Sequence, residues 1–588
     1  MTGIGSSSER GRDPVPDHPY DLGPHSRPVA TASAQAQRWF DRGLVWSYSF
    51  NHDEAVRCFE QAAAHDPDCS AAHWGAAYAK GPNYNKPWKT FDPVDLGDTL
   101  AYGRAALDRA RATASSEPER GLAEALRARF PTGAPPQDPE DFRAFDLAYA
   151  EAMRPVHEAH PHDPDVAALF ADALLCVSPR ALWDLDTGEP TGYGTLEAER
   201  VLLEALARPE GARHPGLNHL YIHLMDMSAH PERAVPAAGR LRHLVPDASH
   251  MVHMATHIDA ACGDYRRVVE SNQAAAAADD AYFAREKTVG RYFVYRAHNL
   301  CYLAFGAMMS GRSQEALHAA HRLDALLTPE VLRVESPPMA DLCESFRTVL
   351  PHVLIRFGRW EEAVALDVPR DQELYCSTTA MVHYAHGIAH AALGRTAEAD
   401  AAREEFTAAA ARVPETRLNA TPSREVDVLR VAGAMLDGEI AYRKGEYDRA
   451  FADLRRAIAF EDALPYTDPV AWLQPVRHAY AALLHEQGRT EEAAAVHRAD
   501  LGLDDTLARW RTHPGNVWSL HGLHTCLTQL GRHEEARALA FQRDIAVAGA
   551  DVPVAASCYC ALTAFEDSPP ESASGCCAPA PEPTGTTF

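Results

Sequence analysis

Basic residues, cysteine and long apolar runs are all scarce in this sequence. Lys plus Arg number 56 against 82 Asp plus Glu, a formal charge of −26 over 588 residues. So acidic a surface repels phosphate backbones and anionic lipid, which argues against nucleic acid as a partner. No run approaches the ~18 consecutive apolar residues that a membrane helix needs, so no membrane partner is expected. The 12 cysteines are too dilute for a disulfide scaffold. The opening MTGIGSSSERGRDPVPDHPYDLG lacks the apolar core of a signal peptide. Together these features point to a reduced, cytoplasmic protein. Also missing are a Walker loop, a GxGxxG turn after a strand, a GxSxG elbow and an HExxH helix, which disfavours nucleotide-dependent and serine-hydrolase chemistry.

What the sequence has is helix. Ala, Leu, Glu and Arg dominate between two polar ends, and apolar residues recur at three- and four-residue spacing. Residues 1–30 and 567–588 are Pro-rich and without period, so both ends are expected to be disordered, with an all-α body over 31–566. The body repeats. Trp39, Gly43, Ala55, Phe59, Ala62 and Pro67 hold the offsets of the 34-residue tetratricopeptide (TPR) pattern. The phrases GRSQEA, GRWEEA, GRTAEA, GEYDRA, GRTEEA and GRHEEA begin at Gly311, Gly358, Gly394, Gly445, Gly488 and Gly531. Each reads as a glycine turn followed by the Ala that packs a second helix. The expectation is a TPR-like α-solenoid of about nine or ten helical hairpins with loop insertions. The insertions 81–95 and 178–194 carry aromatics with Pro, Gly, Asn and Asp, and such loops on a rigid scaffold are binding-site candidates.

Histidine is the anomaly. Seven of the 30 fall between His219 and His257, where about two would be expected. His219 and His223 are four apart, as are His253 and His257, so each pair shares one helical face. His250 joins the second face. The second pair follows the first by 34 residues, one TPR period, so both occupy equivalent places in successive repeats. TPR arrays set those places toward the concave groove, with neighbouring first helices roughly 8–10 Å apart. His298 occupies the slot of His250 in the following repeat, and Asp226 falls on the same face as a ligand or as an orienter of an imidazole. Neutral imidazole is the commonest protein metal ligand, and all-nitrogen sets suit copper, zinc, iron or nickel. Six His suffice for two three-His sets. That spacing resembles the ligand pattern of coupled dicopper proteins such as tyrosinases and haemocyanins, in spacing only and not in fold.

Weaker signals complete the reading. Cys558 and Cys560 form a CxC pair that, as thiolates, would chelate a soft metal. Cys576 and Cys577 lie in the tail. His230 and His243 read as surface residues, and His383, His386 and His390 as structural. The loop residues Asn83, Asn85, Trp183 and Asp184 are candidates for a substrate pocket.

The phrases GLVWSYSFNHDEAVRCFEQAAAHDPDC…HWG (43–75), GPNYN (81–85), HPGLNHLYIH (214–223) and MVHMATHI (251–258) resemble those of a group of bacterial TPR proteins of largely unassigned function. The resemblance runs over about residues 36–560. It implies an α-solenoid and supplies no reaction, so function has to come from the site. The expectation is a metal-dependent enzyme with a mono- or dinuclear His site. Copper is favoured, with zinc or iron as alternatives, and oxidation of a small molecule or peptide is preferred to hydrolysis. The alternatives are a TPR scaffold binding a protein or peptide in its groove, and a metal storage or delivery protein.

Overall fold

The computed structural model describes residues 18–136, 138 and 141–558. The chain is an all-α, TPR-like solenoid. Consecutive helices pair antiparallel, from Ala34–Tyr48 with His52–His65 at one end to Val517–Gln529 with His533–Ala548 at the other. The strand content among the described residues is one small antiparallel ladder, Leu418–Ala420 with Ser423–Arg424. No helix among them is long and apolar enough to cross a membrane.

The glycine-turn phrases do what their chemistry requires. Gly311, Gly358, Gly394, Gly445, Gly488 and Gly531 all have φ between 62° and 78°, the left-handed region that ends a helix at little cost only for glycine. The Ala five residues on (Ala316, Ala363, Ala399, Ala450, Ala493, Ala536) is buried against the partner helix each time. Gly43 and Gly75 both lie against the ring of Phe59, where a Cβ would lie 2.7 and 2.4 Å from it.

Two findings go beyond a simple stack of neighbours. Residues 18–30, expected to be disordered, pack along the body. Their Pro-rich composition forbids helix but not order, because nearly every polar group finds a partner. Trp46 Nε1 donates to His18 Nε2 at 3.2 Å, and Asp21 and Asp247 exchange two hydrogen bonds. Arg27 grips Asp163 at 2.6 Å, and Leu22 is buried. The C-terminal repeats also fold back on earlier ones. Arg509 donates to the carbonyl of Ala261 at 2.5 Å, Arg511 pairs with Asp186 at 2.8 Å, and Trp518 donates to the carbonyl of Met308 at 2.7 Å. Residues 1–17 and the expected tail 567–588 lie outside the described residues.

Gly43→Ala sets a methyl against Phe59 and is expected to destabilise by roughly 1–3 kcal/mol. Gly97→Ala, in the helix Pro93–Thr113 with open space around it, is expected to stabilise by up to about 1 kcal/mol. Thermal melts of the two variants check this, and effects of the same sign would contradict the close-approach account. A second prediction concerns pH. His352 is buried edge-on to Trp472, with ring centroids 4.6 Å apart, and burial pushes its imidazole down to about 3. The unfolded chain takes up that proton near pH 6.5. The stability associated with His352 is therefore complete above about pH 6.5 and falls below it by up to about 1.4 kcal/mol per pH unit, down to about pH 3. The melting temperature of His352→Phe should decline less between about pH 7 and about pH 5 than that of the wild type.

Candidate metal centre

The six histidines come from three first helices packed side by side. His219 and His223 lie on Pro215–Met225, His250, His253 and His257 on Ser249–Ala261, and His298 on Arg291–Met309. They form two sets of three. In the first, His219, His223 and His250 each bring one ring nitrogen to within 4.8 Å of the others, and in the second His253, His257 and His298 do the same. The sets adjoin, with His250 and His253 rings 6.0 Å apart and His223 and His257 rings 6.1 Å apart. His219 and His253 are 0% exposed, His250 1%, His223 2% and His257 8%.

Local contacts fix which nitrogen faces inward. His219 Nδ1 lies 2.6 Å from the carbonyl oxygen of Tyr48, which can only accept, so Nδ1–H donates and the Nε2 lone pair points into the cluster. Gly216, one turn earlier on that helix, permits the contact, since a Cβ there would meet the Tyr48 ring at 2.7 Å. His253 Nδ1 donates to Asn272 Oδ1 at 2.7 Å, and Asn272 is itself held because its Nδ2 donates to the Val268 carbonyl. His253 Nε2 is thereby turned toward Nε2 of His257 and of His298, each 3.1 Å away. Around a tetrahedral ion with metal–nitrogen bonds of about 2.0–2.1 Å, neighbouring nitrogens are about 3.3 Å apart. The two pairs that His253 makes in the second set are close to that spacing.

In the first set the nitrogens lack partners. Nε2 of His219 and both ring nitrogens of His223 and of His250 are buried without a hydrogen bond. Five such atoms on three adjoining rings leave nitrogen lone pairs available to a shared ligand. The electrostatics keep the donors available. Burial, reinforced by neighbouring imidazoles, holds His219, His223, His250 and His253 well below the usual histidine range, and His298 at about 3. All five are neutral, as ligands must be. His257 differs. Burial alone would lower it, but Asp226 and Asp468 raise it to about 9, with Nδ1 3.4 Å from a carboxylate oxygen of each. Asp226 also lies 3.5 Å from Nδ1 of His223, so this carboxylate sits behind both sets.

The loop candidates divide. Asn83 folds its own turn, accepting from the backbone of Asn85 and Lys86. That turn lays Tyr84 on His223, with ring centroids 4.6 Å apart. Asn85 meets Arg180 of the second loop at 3.4 Å, and the Arg180 backbone N–H donates to Tyr84 Oη at 3.1 Å, so the two insertions join over the site. Trp183 ties the second loop to the Leu224 carbonyl at 2.7 Å. Asp184 does not reach the site. Its carboxylate caps the loop's own turn at Thr187 and Asp186. Cys558 is disulfide-bonded, so it offers no thiolate, and Cys560 lies outside the described residues. The other cysteines of the described chain are free.

Several residues at the site went unread in the sequence. Phe50 lies within 4.5–5.7 Å, ring centroid to ring centroid, of His219, His223 and His250. Tyr295 stacks on His250 at 4.5 Å and Tyr302 on His257 at 5.5 Å. The tyrosines had a signal, since Tyr295, His298 and Tyr302 share one helical face by spacing. Asp468 had none. It arrives from a loop more than 200 residues after His257, and only tertiary folding brings it near.

Substituting His250 separates an orphaned donor from a structural histidine. Replacing a buried unpartnered polar ring by an apolar one of similar shape is neutral or stabilising. In protein treated with a chelator, His250→Phe is therefore expected to melt at the wild-type temperature or above it. A drop of more than about 2 kcal/mol in stability would mean that both ring nitrogens are satisfied.

No family profile and no curated protein matches the chain. Among solved structures it is similar to a monomeric mutant of IFIT1 with Gppp-AAAA, at 11% identity and a TM-score of 0.32, over 87% of this chain and 100% of that one. It is also similar to Naa15/Naa10 bound to HypK-THB, at 12% identity and a TM-score of 0.21, over 88% of this chain and 73% of that one. Likeness of this degree says nothing about the site.

Proposed function

We propose that this solenoid is a metal-binding protein whose two three-histidine sets hold one or two transition-metal ions. The observation that carries the reading is the group of five buried imidazole nitrogens without hydrogen-bond partners in the first set, beside converging Nε2 atoms in the second. Neutral nitrogen donors suit copper, zinc or iron, and two adjoining three-nitrogen sets, the second complete once His257 releases its Nε2 proton as the ion binds, favour copper. When bound, such ions would supply redox or Lewis-acid chemistry. We favour oxidation of a small molecule or peptide over hydrolysis. The chain's own residues have separable parts in this reading. The Tyr48 carbonyl and Asn272 orient His219 and His253. Asp226 and Asp468 hold His257, and Phe50, Tyr84, Tyr295 and Tyr302 wall the histidines with aromatic rings.

A second reading is a non-enzymatic one, a TPR scaffold for a protein or peptide partner or a metal store. The repeat fold itself supports the scaffold. Against a peptide held by these histidines stands the burial of five of them, since a chain lying in the groove would not touch rings that are 0–8% exposed; His298 is half-buried.

Elemental mass spectrometry of tag-free protein tests the proposal. About one or two transition-metal ions per chain are expected, with occupancy reduced more than about tenfold in a His253→Ala/His257→Ala variant. A wild type that carries no metal and takes up none of added copper, zinc or iron would overturn the metal reading and leave the scaffold.

A further inference from the structure

Two positive charges next to the histidines have no negative partner. Arg180 and Arg291 make no ion pair with any carboxylate among the described residues, although most other arginines do. They come from distant parts of the chain and converge on one residue of the 81–95 loop. Arg180 Nη2 donates to the Asn85 side-chain oxygen and Arg291 Nη2 to the Asn85 backbone carbonyl, both at a long 3.4 Å. Amide oxygens at that distance do not neutralise two guanidinium groups. Burial, together with the neighbouring charge of Arg180, pushes Arg291 below its ordinary value. Asp95, whose charge Arg291 feels, is already held by Lys86 at 2.5 Å, and Asp53, which approaches the neighbouring Gly290, makes no ion pair with Arg291.

Three further observations place the pair at the histidine centre. The charge of Arg180 reaches His223 of one set and His298 of the other. Tyr295, stacked on His250, feels both arginines, and its buried hydroxyl lies beside Asn85, the residue on which both arginines converge. Arg180 also has φ of +60°, and the other non-glycine residue with left-handed φ among the described residues is Phe50, at 55°, against the first histidine set. Such strain costs about 1–3 kcal/mol and clusters at binding and catalytic sites. A cavity of about 340 Å³ reaches Arg291 from the outside; Arg57 and Lys86 line it together with Asp53, Glu54, Asp92, Asp95 and Asp98, so it is an approach to the arginines and not itself the oxyanion site.

We infer that the histidine centre receives a small anionic molecule, a carboxylate or a phosphate ester, whose oxyanion is gripped by Arg180 and Arg291 and accepts a hydrogen bond from the Tyr295 hydroxyl. The planar guanidinium fork matches both kinds of oxyanion. The anion would neutralise the repelling pair and set the rest of the molecule against His250. This names the substrate class of the centre proposed above and so rests on that reading for its chemistry. The oxyanion site itself does not need a metal.

Calorimetric titration tests the inference with acetate, inorganic phosphate and neutral acetamide as probes, on protein as purified and after chelator treatment. Acetate or phosphate is expected to bind and acetamide not to, and whichever oxyanion binds more tightly identifies the source. The Arg180→Gln/Arg291→Gln variant should bind it at least about tenfold more weakly in both metal states. Its metal content should be unchanged, and without anion it should melt no lower than the wild type, since a repulsion has been removed. Arg-dependent binding in chelator-treated protein upholds the oxyanion site even if metal analysis has failed. Binding that is lost with the metal and indifferent to the arginines would assign the anion to the metal and overturn the inference, as would a wild type that binds neither oxyanion.

Discussion

The histidine centre depends on the close approach of Tyr48 to Gly216. With no side chain at Gly216, the helix Pro215–Met225 lies directly against the end of Ala34–Tyr48. Three consequences follow from that one contact. The Tyr48 carbonyl takes the Nδ1 proton of His219, which turns Nε2 inward. Phe50, two residues further on, is pressed into the first histidine set at the cost of a left-handed backbone. The Tyr48 hydroxyl remains free to reach Asp165, where His214 and His25 also converge at 3.0 Å, so the same residue pins the start of the histidine helix. A methyl group at position 216 would open all three.

The repeat and the six-histidine pattern were legible in the sequence because both are periodic. A 34-residue period fixes which face of a helix meets its neighbour, and the glycine turns with their packing alanines mark each hairpin. The sets divide three and three, as two three-His groups would require, and Asp226 sits behind them. Period says nothing about side chains that arrive from outside the repeat. Phe50 comes from a hairpin turn, Asp468 from an insertion far downstream, and Arg180 and Arg291 are ordinary residues until a third loop brings them together. Asp184 looked equal to its neighbours by composition, but a carboxylate with free backbone amides two and three residues ahead caps its own turn. Residues 18–30 mislead for a related reason. Proline and polarity argue against helix, but they do not argue against order.

Charge is distributed with an economy that composition hides. The chain carries a net −26, yet its candidate centre is built from neutral imidazoles, with two carboxylates on one side and two unpaired guanidinium groups on the other. Burial sets the neutrality of the rings, because a charged imidazole here would lose its hydration without gaining a partner. His257 is the exception because it alone touches both carboxylates. Charges of both signs thus act on the same neutral rings: His223 and His298 each feel Arg180 and Asp468.

The segment 18–30 and the returning C-terminal loops change what kind of object the solenoid is. An array in which each repeat touches only its neighbours can lose structure from either end, one unit at a time. Here Tyr20 reaches Glu286, Asp21 reaches Asp247, Arg511 reaches Asp186 and Trp518 reaches Met308. Each tie spans more than 200 residues, and that from Arg511 to Asp186 spans all three helices that carry the histidines. Fraying at one end would have to break contacts in the middle, so the array is closed into a single cooperative unit. A centre assembled from three helices and three loops needs them all present at once, and this closure makes partial assembly a sparsely populated state.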